Sequence, residues 1–136
     1  MSEEKKAIKV FDDVNKETPE SDIPEGALVV NAENAMEIIK TGKGVLELSK
    51  PTDIGGKKVS SIYFDLSSVS AMKYRGIIKK VERQNRMQIP DPSKDIDVQM
   101  EIFAEASDIP VAELKTAITM KDLSQIETVV YYFLAA

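Results

Sequence analysis

The sequence contains no cysteine and no histidine among its 136 residues. Without cysteine there are no disulfide bonds, thiolate nucleophiles or thiolate zinc sites, which fits a chain made and kept inside a cell. Without histidine the chain loses both the commonest general base and the commonest metal ligand. Only carboxylates, lysine, tyrosine and serine remain for chemistry, so we expect a protein that is not an enzyme and needs no cofactor.

Long apolar runs are also missing. None approaches the roughly 18 residues that a membrane-spanning helix needs, and the first residues, MSEEKKAIKVFDD, lack the apolar stretch of a signal peptide. Apolar residues make up 43% of the chain and charged residues 30%, which suffices for a packed core in one domain. We therefore expect a soluble, globular, cytoplasmic protein without a membrane partner.

Charge is distributed unevenly along the chain, although the net charge is only -5. Residues 71–90 hold six basic side chains and one acidic side chain, whereas residues 91–136 hold three basic and nine acidic ones. The sequence therefore predicts one basic helix within an otherwise acidic protein.

Residues 1–43 are interpreted as an acidic leader that is partly mobile. The first 25 residues are rich in Glu, Asp, Ser and Pro and have no sustained periodicity. Further on, ALVV at 27–30 is consistent with a short edge strand, and NAENAMEIIKTG predicts a small helix capped by Asn31 and ended by Gly42.

Residues 44–66 predict a β-hairpin. Leu46 and Leu48 share one face of the first strand, and the apolar face of the second strand consists of Ile62, Phe64 and Leu66. Asp53, Gly55 and Gly56 supply the tight reversal between the strands. Because an isolated two-stranded hairpin is marginally stable in water, its apolar face must be covered by the helices that follow.

Apolar spacing and capping residues predict helices over about 68–87, 94–107, 110–117 and 120–134. Their expected caps are Ser67 or Ser68, Ser93, Asp108 before Pro110, and Thr119 in a capping box with Asp122. The expected core stripes include Val69, Met72, Ile77, Ile78 and Val81, then Ile96, Met100 and Phe103, then Leu123, Ile126, Val130 and Phe133. The predicted fold class is α+β, with an N-terminal hairpin packed on a small bundle of three to four helices.

Catalytic and metal sites are not indicated. Glu101 and Glu105 share a helix face but lack a third ligand nearby, and a solvated acidic face explains them better. The glycines of TGKG and IGGKK match neither phosphate-binding motif and are typical of turns. We therefore assign no catalytic residue and no metal ligand.

The basic helix, residues 72–87, is the first candidate partner-binding surface. Its candidate residues are Lys73, Lys79, Lys80, Arg83 and Arg86. Such side chains can neutralise phosphates, but the acidity of the chain favours their pairing with acidic helices of 91–136 or of another molecule over binding of nucleic acid.

The C-terminal YYFLAA is the second candidate. A helical stripe that buries Val130 and Phe133 leaves at least one of Tyr131, Tyr132 and Leu134 facing outward or toward a partner. Packing of these side chains in the core is the alternative interpretation.

The order of the motifs adds a resemblance. The run LSKPTDIGGKKVSSIYFDLSSVSAMKYRGIIKKVE followed by AEASDIPVAELKTAITMKDLSQIETVVYYFL resembles the tail assembly chaperones of long-tailed bacteriophages. The shared features are a strand ending in Lys-Pro, a glycine turn, a capped helix with a basic run, an IPxxEL step, a DLxxI step and a terminal FL. The resemblance covers about residues 44–136 and leaves residues 1–43 outside.

The resemblance implies a non-catalytic chaperone that binds the tape measure protein and helps recruit tail tube subunits. Members of the family act in the cytoplasm of the infected bacterium, are absent from the mature virion, and often have a second form lengthened by ribosomal frameshifting. Self-association is left open. The alternative is a small nucleic-acid-binding or regulatory protein that uses the basic helix 72–87.

Overall fold

The computed structural model describes residues 23–136, so most of the predicted leader lies outside the described residues. The chain forms α1 (Ala35–Thr41), β1 (Lys43–Ile54), β2 (Lys57–Asp65), α2 (Ala71–Asn85), α3 (Ile96–Ser107), α4 (Val111–Ala117) and α5 (Met120–Ala135). Short 3-10 turns at Leu66–Ser68 and Pro92–Lys94 precede α2 and α3. The predicted α+β class, a hairpin with a small helical bundle, is confirmed.

The hairpin reverses through two glycines. Gly55 and Gly56 have φ angles of 61° and 81°, and Ile54 pairs with Lys57 on either side of them. Two consecutive positive φ angles suit the right-handed twist of the flanking strands, and glycine reaches them without steric cost. The antiparallel register places Leu46 opposite Ile62, as the shared apolar face requires.

The register of β1 is interrupted between Glu47 and Thr52, around Pro51. Proline has no amide hydrogen to donate to a strand ladder. Within the interruption, the Ser49 amide donates instead to Asp122 Oδ1 of α5 at 2.9 Å. The irregularity thus connects the hairpin to the start of the last helix.

The segment before α1 also contacts the hairpin. Val45 donates its amide to Leu28 O and accepts a bond from the Val30 amide, both at 2.8 Å, which gives one parallel bridge between Val29 and Val45. The expected edge strand at 27–30 is therefore a single bridge. The helix that follows starts at Ala35, after Asn34, whereas Asn31 accepts a bond from the Asn34 amide.

Helix α3 lies at the centre of the core and packs against α2, α4, α5 and β2. Phe103 of α3 and Phe64 of β2 are both almost fully buried, and their ring centroids are 5.2 Å apart. The apolar face of the hairpin is thus covered by the bundle, as predicted. Other fully buried side chains around this pair include Leu46, Leu66, Val81, Leu114, Ile126 and Val130.

Helix α4 starts after Pro110, and its expected cap, Asp108, instead ends α3 with a positive φ of 59°. Two further helix starts differ from the predictions. Ser70 caps α2 by accepting from the Lys73 amide, while Ser67 bonds to Asp65 in the preceding turn. Asp95 caps α3, and Ser93 belongs to the turn before it. In both places a 3-10 turn uses the first candidate cap and delays the helix. The predicted Thr119 and Asp122 capping box is present in α5.

The prediction that Met72 and Ile96 lie in the core is wrong. Met72 is 84% exposed and Ile96 is 49% exposed. Successive helical residues turn by about 100°, so Met72 lies roughly opposite Val81 around the axis of α2. Because Ile77 and Val81 are the buried residues of α2, Met72 must face away from the core.

Candidate partner-binding surface on helix α2

The candidate basic residues lie on or at the end of α2, a helix that buries one face only. Ile77 and Val81 are the buried residues of α2, and the helix packs against α3. The Ser70 cap fixes the start of α2, and Arg86 ends it with a positive φ of 56°. The rotation of α2 about its axis therefore decides which basic side chains reach α3.

Two of the candidate lysines pair within the molecule. Lys80 Nζ lies 3.1 Å from Glu101 Oε2 of α3, whose side chain is only 10% exposed. Lys73 Nζ lies 3.9 Å from Glu105 Oε2, one turn further along α3. These contacts match the expected pairing with the acidic helices, and they leave Lys73 and Lys80 less available to a partner.

The remaining candidates on this helix are exposed. Lys79, Arg83 and Arg86 form no ion pair with another of the residues 23–136. Arg75, which sequence reasoning did not single out, shares this exposure. Arg75, Lys79 and Arg83 are four residues apart and lie along one side of α2; we call these three residues the α2 row.

Acidic groups close to the α2 row are largely occupied. Glu82, on the same helix, accepts a hydrogen bond from the Ile89 amide at 3.0 Å, and this bond holds the segment that follows α2. Glu101 and Glu105 face Lys80 and Lys73. The α2 row therefore presents a cationic surface on an acidic protein.

Methionine side chains flank the row. Met72 at the start of α2 is 84% exposed, and Met87 just beyond its end is 67% exposed. Met36 and Met120 are exposed elsewhere, while Met100 is the buried methionine of the described residues. The unbranched, polarisable thioether adapts to differently shaped apolar partners, so exposed methionines suit a binding surface.

A groove runs between α2 and α3 beside the row, with a volume of about 480 Å³. Its lining includes Met72, Gly76 and Ile77, together with the Lys73–Glu105 and Lys80–Glu101 pairs. A Cβ atom placed on Gly76 would have no neighbouring atom within 4 Å. We call this depression the α2–α3 groove.

The three C-terminal candidate residues also differ in their exposure to solvent. Tyr132 is 51% exposed, whereas Leu134 is partly buried against the core. The ring of Tyr131 meets that of Tyr132 edge to face at 5.1 Å, and Lys94 Nζ lies 6.0 Å from the Tyr131 centroid. Of the three, Tyr132 is therefore the exposed residue, and Tyr131 and Leu134 are half-buried.

A second, smaller groove of about 280 Å³ lies between α1 and α5. Its walls include Val30, Ile38, Ile39 and Val129, and none of its lining residues is ionisable. This groove offers apolar contact without charge.

Two tyrosines have raised pKa values. Burial, with a smaller contribution from Asp65, raises the pKa of Tyr63, and burial together with Asp91 raises the pKa of Tyr74. Both tyrosines therefore stay neutral at physiological pH. Within residues 23–136 no three acidic side chains gather as a metal site, and no helix is long and apolar enough to span a membrane.

Comparisons with known proteins identify no relative of this chain. No family model, curated protein or solved structure matches this chain. The likeness to tail assembly chaperones therefore rests on the order and spacing of the quoted motifs.

Proposed function

We propose that this chain is a non-catalytic tail assembly chaperone of a long-tailed phage. It binds the tape measure protein in the host cytoplasm, helps recruit tail tube subunits, and is absent from the mature virion. The observation that carries the proposal furthest is the exposed surface of α2, where the α2 row, which forms no ion pair within residues 23–136, lies between two exposed methionines. The motif order of residues 44–136 supplies the family.

The proposed role has a physical basis. A tape measure protein is long and largely helical, with a rise of about 1.5 Å per residue, and its apolar stripes are exposed before the tube encloses it. Many small proteins bound along it would mask those stripes. A net charge of -5 on each bound copy would also make coated filaments repel one another.

Co-expression tests the proposal. The full chain, carrying an affinity tag, is produced together with the tape measure protein of the same phage genome. We expect the two proteins to co-purify and the tape measure protein to shift from the pellet to the soluble fraction. An unrelated acidic protein of similar size serves as the control for charge and expression. Failure of the two to associate under these conditions would rule out the proposed function.

The alternative is a nucleic-acid-binding or regulatory protein that uses the α2 row. The absence of ion pairs at Arg75, Lys79 and Arg83 within the described residues favours it. A mobility shift that weakens steeply with salt would support this function. Charge reversal at Arg75, Lys79 and Arg83 without any effect on the mobility shift would rule this function out.

A further inference from the structure

We propose that the α2 row and the α2–α3 groove together bind one acidic, amphipathic α-helix of a partner protein. The bound helix lies along α2, with its apolar stripe in the groove and its carboxylates on the row. The proposal deepens the function above and rests on it for the identity of the partner only.

The first argument is Gly76. Glycine in the middle of a helix costs about 0.5–1 kcal/mol relative to alanine. The fold does not require it, because an added Cβ would meet nothing within 4 Å. A missing Cβ at an exposed position lets another backbone approach closely, as at helix pairs packed near the short end of the usual 8–10 Å.

The second argument is charge. Arg75, Lys79 and Arg83 are exposed, and none forms an ion pair with another described residue. Their spacing of four residues corresponds to a rise of about 6 Å per step. Acidic residues four apart on a second, roughly parallel or antiparallel helix repeat with the same rise, so the two rows can face each other over about two turns.

The third argument is the apolar content and length of the surface. Met72 is one turn before Gly76 and lines the groove, as does the buried Ile77. Met87 extends the surface beyond the last turn of α2. From Met72 to the last residue, Asn85, the helix rises about 20 Å, which accommodates between three and four turns of a bound helix, about 5.4 Å each.

The groove disfavours a phosphate backbone. Glu101 and Glu105 line it on the α3 side and offset the charges of Lys73 and Lys80, so the groove itself offers a phosphate no net positive charge. An amphipathic helix suits this arrangement, because its carboxylates occupy one side only and can lie on the α2 row. Its apolar stripe also uses the methionines, which contribute nothing to phosphate binding.

The test uses a synthetic peptide of 21 residues that carries a fluorescent label. Leucines at helical spacing form its apolar stripe, and glutamates four residues apart flank the stripe. A second peptide has lysine in place of each glutamate. We expect the full chain to bind the glutamate peptide saturably and the lysine peptide at least about tenfold more weakly, by fluorescence anisotropy.

Two variants locate the binding site. Gly76→Leu fills the groove, and the combined variant Arg75→Glu, Lys79→Glu, Arg83→Glu reverses the row. Each is expected to weaken binding by about tenfold or more. The control, Lys50→Glu, Lys57→Glu, Lys121→Glu, changes the net charge equally at exposed lysines outside α2 and should change binding less than about twofold. Melting temperatures establish that every variant is folded.

The outcomes separate this proposal from the proposed function. The proposed surface is overturned if the glutamate peptide does not bind, or if neither α2 variant changes its binding. It is also overturned if a 30-base-pair DNA duplex binds the chain and the peptide does not. If the tape measure protein still co-purifies with both variants, the chaperone function stands without this surface. If the peptide binds at α2 and the tape measure protein never associates, the surface stands and the function fails. Loss of both interactions in the same variants supports both.

Discussion

Helices α2 and α3 pack side by side, yet they differ in how many of their residues are buried. Eight of the twelve residues of α3 are buried, including the polar side chains of Gln99 and Glu101. Only two of the fifteen residues of α2 are buried. Burial in the core therefore explains most of the residue choices in α3, whereas contacts within the described part of the chain explain few of those in α2. Substitutions in α3 should change stability, and those on the outer face of α2 should change binding.

The largest expected effect is in α3. Phe103→Ala removes a ring that is 1% exposed and in contact with Phe64, so it should lower the free energy of unfolding by about 3–5 kcal/mol. Met72→Ala on α2 is the matched control and should change it by less than about 0.5 kcal/mol, because Met72 is 84% exposed. Urea denaturation measures both. Equal losses would contradict the contrast between the helices.

The ion pairs between the two helices give a smaller effect. Lys80→Ala leaves the Glu101 carboxylate, 10% exposed, without its partner at 3.1 Å and should cost about 1–2 kcal/mol. Lys73→Ala removes a longer contact between two half-exposed side chains and should cost less than about 0.5 kcal/mol. Urea midpoints at low salt provide the comparison. A larger loss for Lys73→Ala would show that burial of Glu101 does not set the cost.

Gly76→Ala should raise stability. The alanine methyl group meets nothing within 4 Å, and removing a mid-helix glycine should gain about 0.5–1 kcal/mol. Urea denaturation of the isolated protein reads the gain, and the same variant should bind the glutamate peptide less well than wild type. A gain in stability together with stronger peptide binding would remove Gly76 from the docking argument.

The smallest effect concerns alkaline pH. Burial, and to a lesser extent Asp91, raise the pKa of Tyr74 above its ordinary value of 10.0. The neutral phenol is therefore favoured by folding, and its contribution is fully present below pH 10 and is lost as pH rises through the folded-state pKa. Relative to wild type, Tyr74→Phe should become more stable when pH is raised from 8 to above 10. A difference independent of pH would contradict the raised pKa.

Local signals made part of this structure predictable. The Gly55–Gly56 reversal and the Thr119–Asp122 capping box each depend on a few neighbouring residues, and both are present. Met72 was misplaced because it lies about 180° from Val81 around α2, a mismatch that the spacing of the apolar residues already contained. Ile96 is the first residue of α3 and lies outside the buried part of that helix, which begins at Val98.

The candidate surface was harder to predict. The separation of Lys73 and Lys80 from Lys79 and Arg83 requires the position of α3, which the local pattern does not contain. Arg75 was predictable from the sequence, since it precedes Lys79 by four residues. Gly76 could not be predicted as part of the surface, because its significance lies in the empty space above it.

The outer side of β1 is already engaged where an added strand would bond. Val45 exchanges two hydrogen bonds with Leu28 and Val30, and the Ser49 amide donates to Asp122. A strand from a neighbouring copy would have to displace these contacts before it could pair here. Two copies of the chain can thus touch along this side without merging into one continuous sheet.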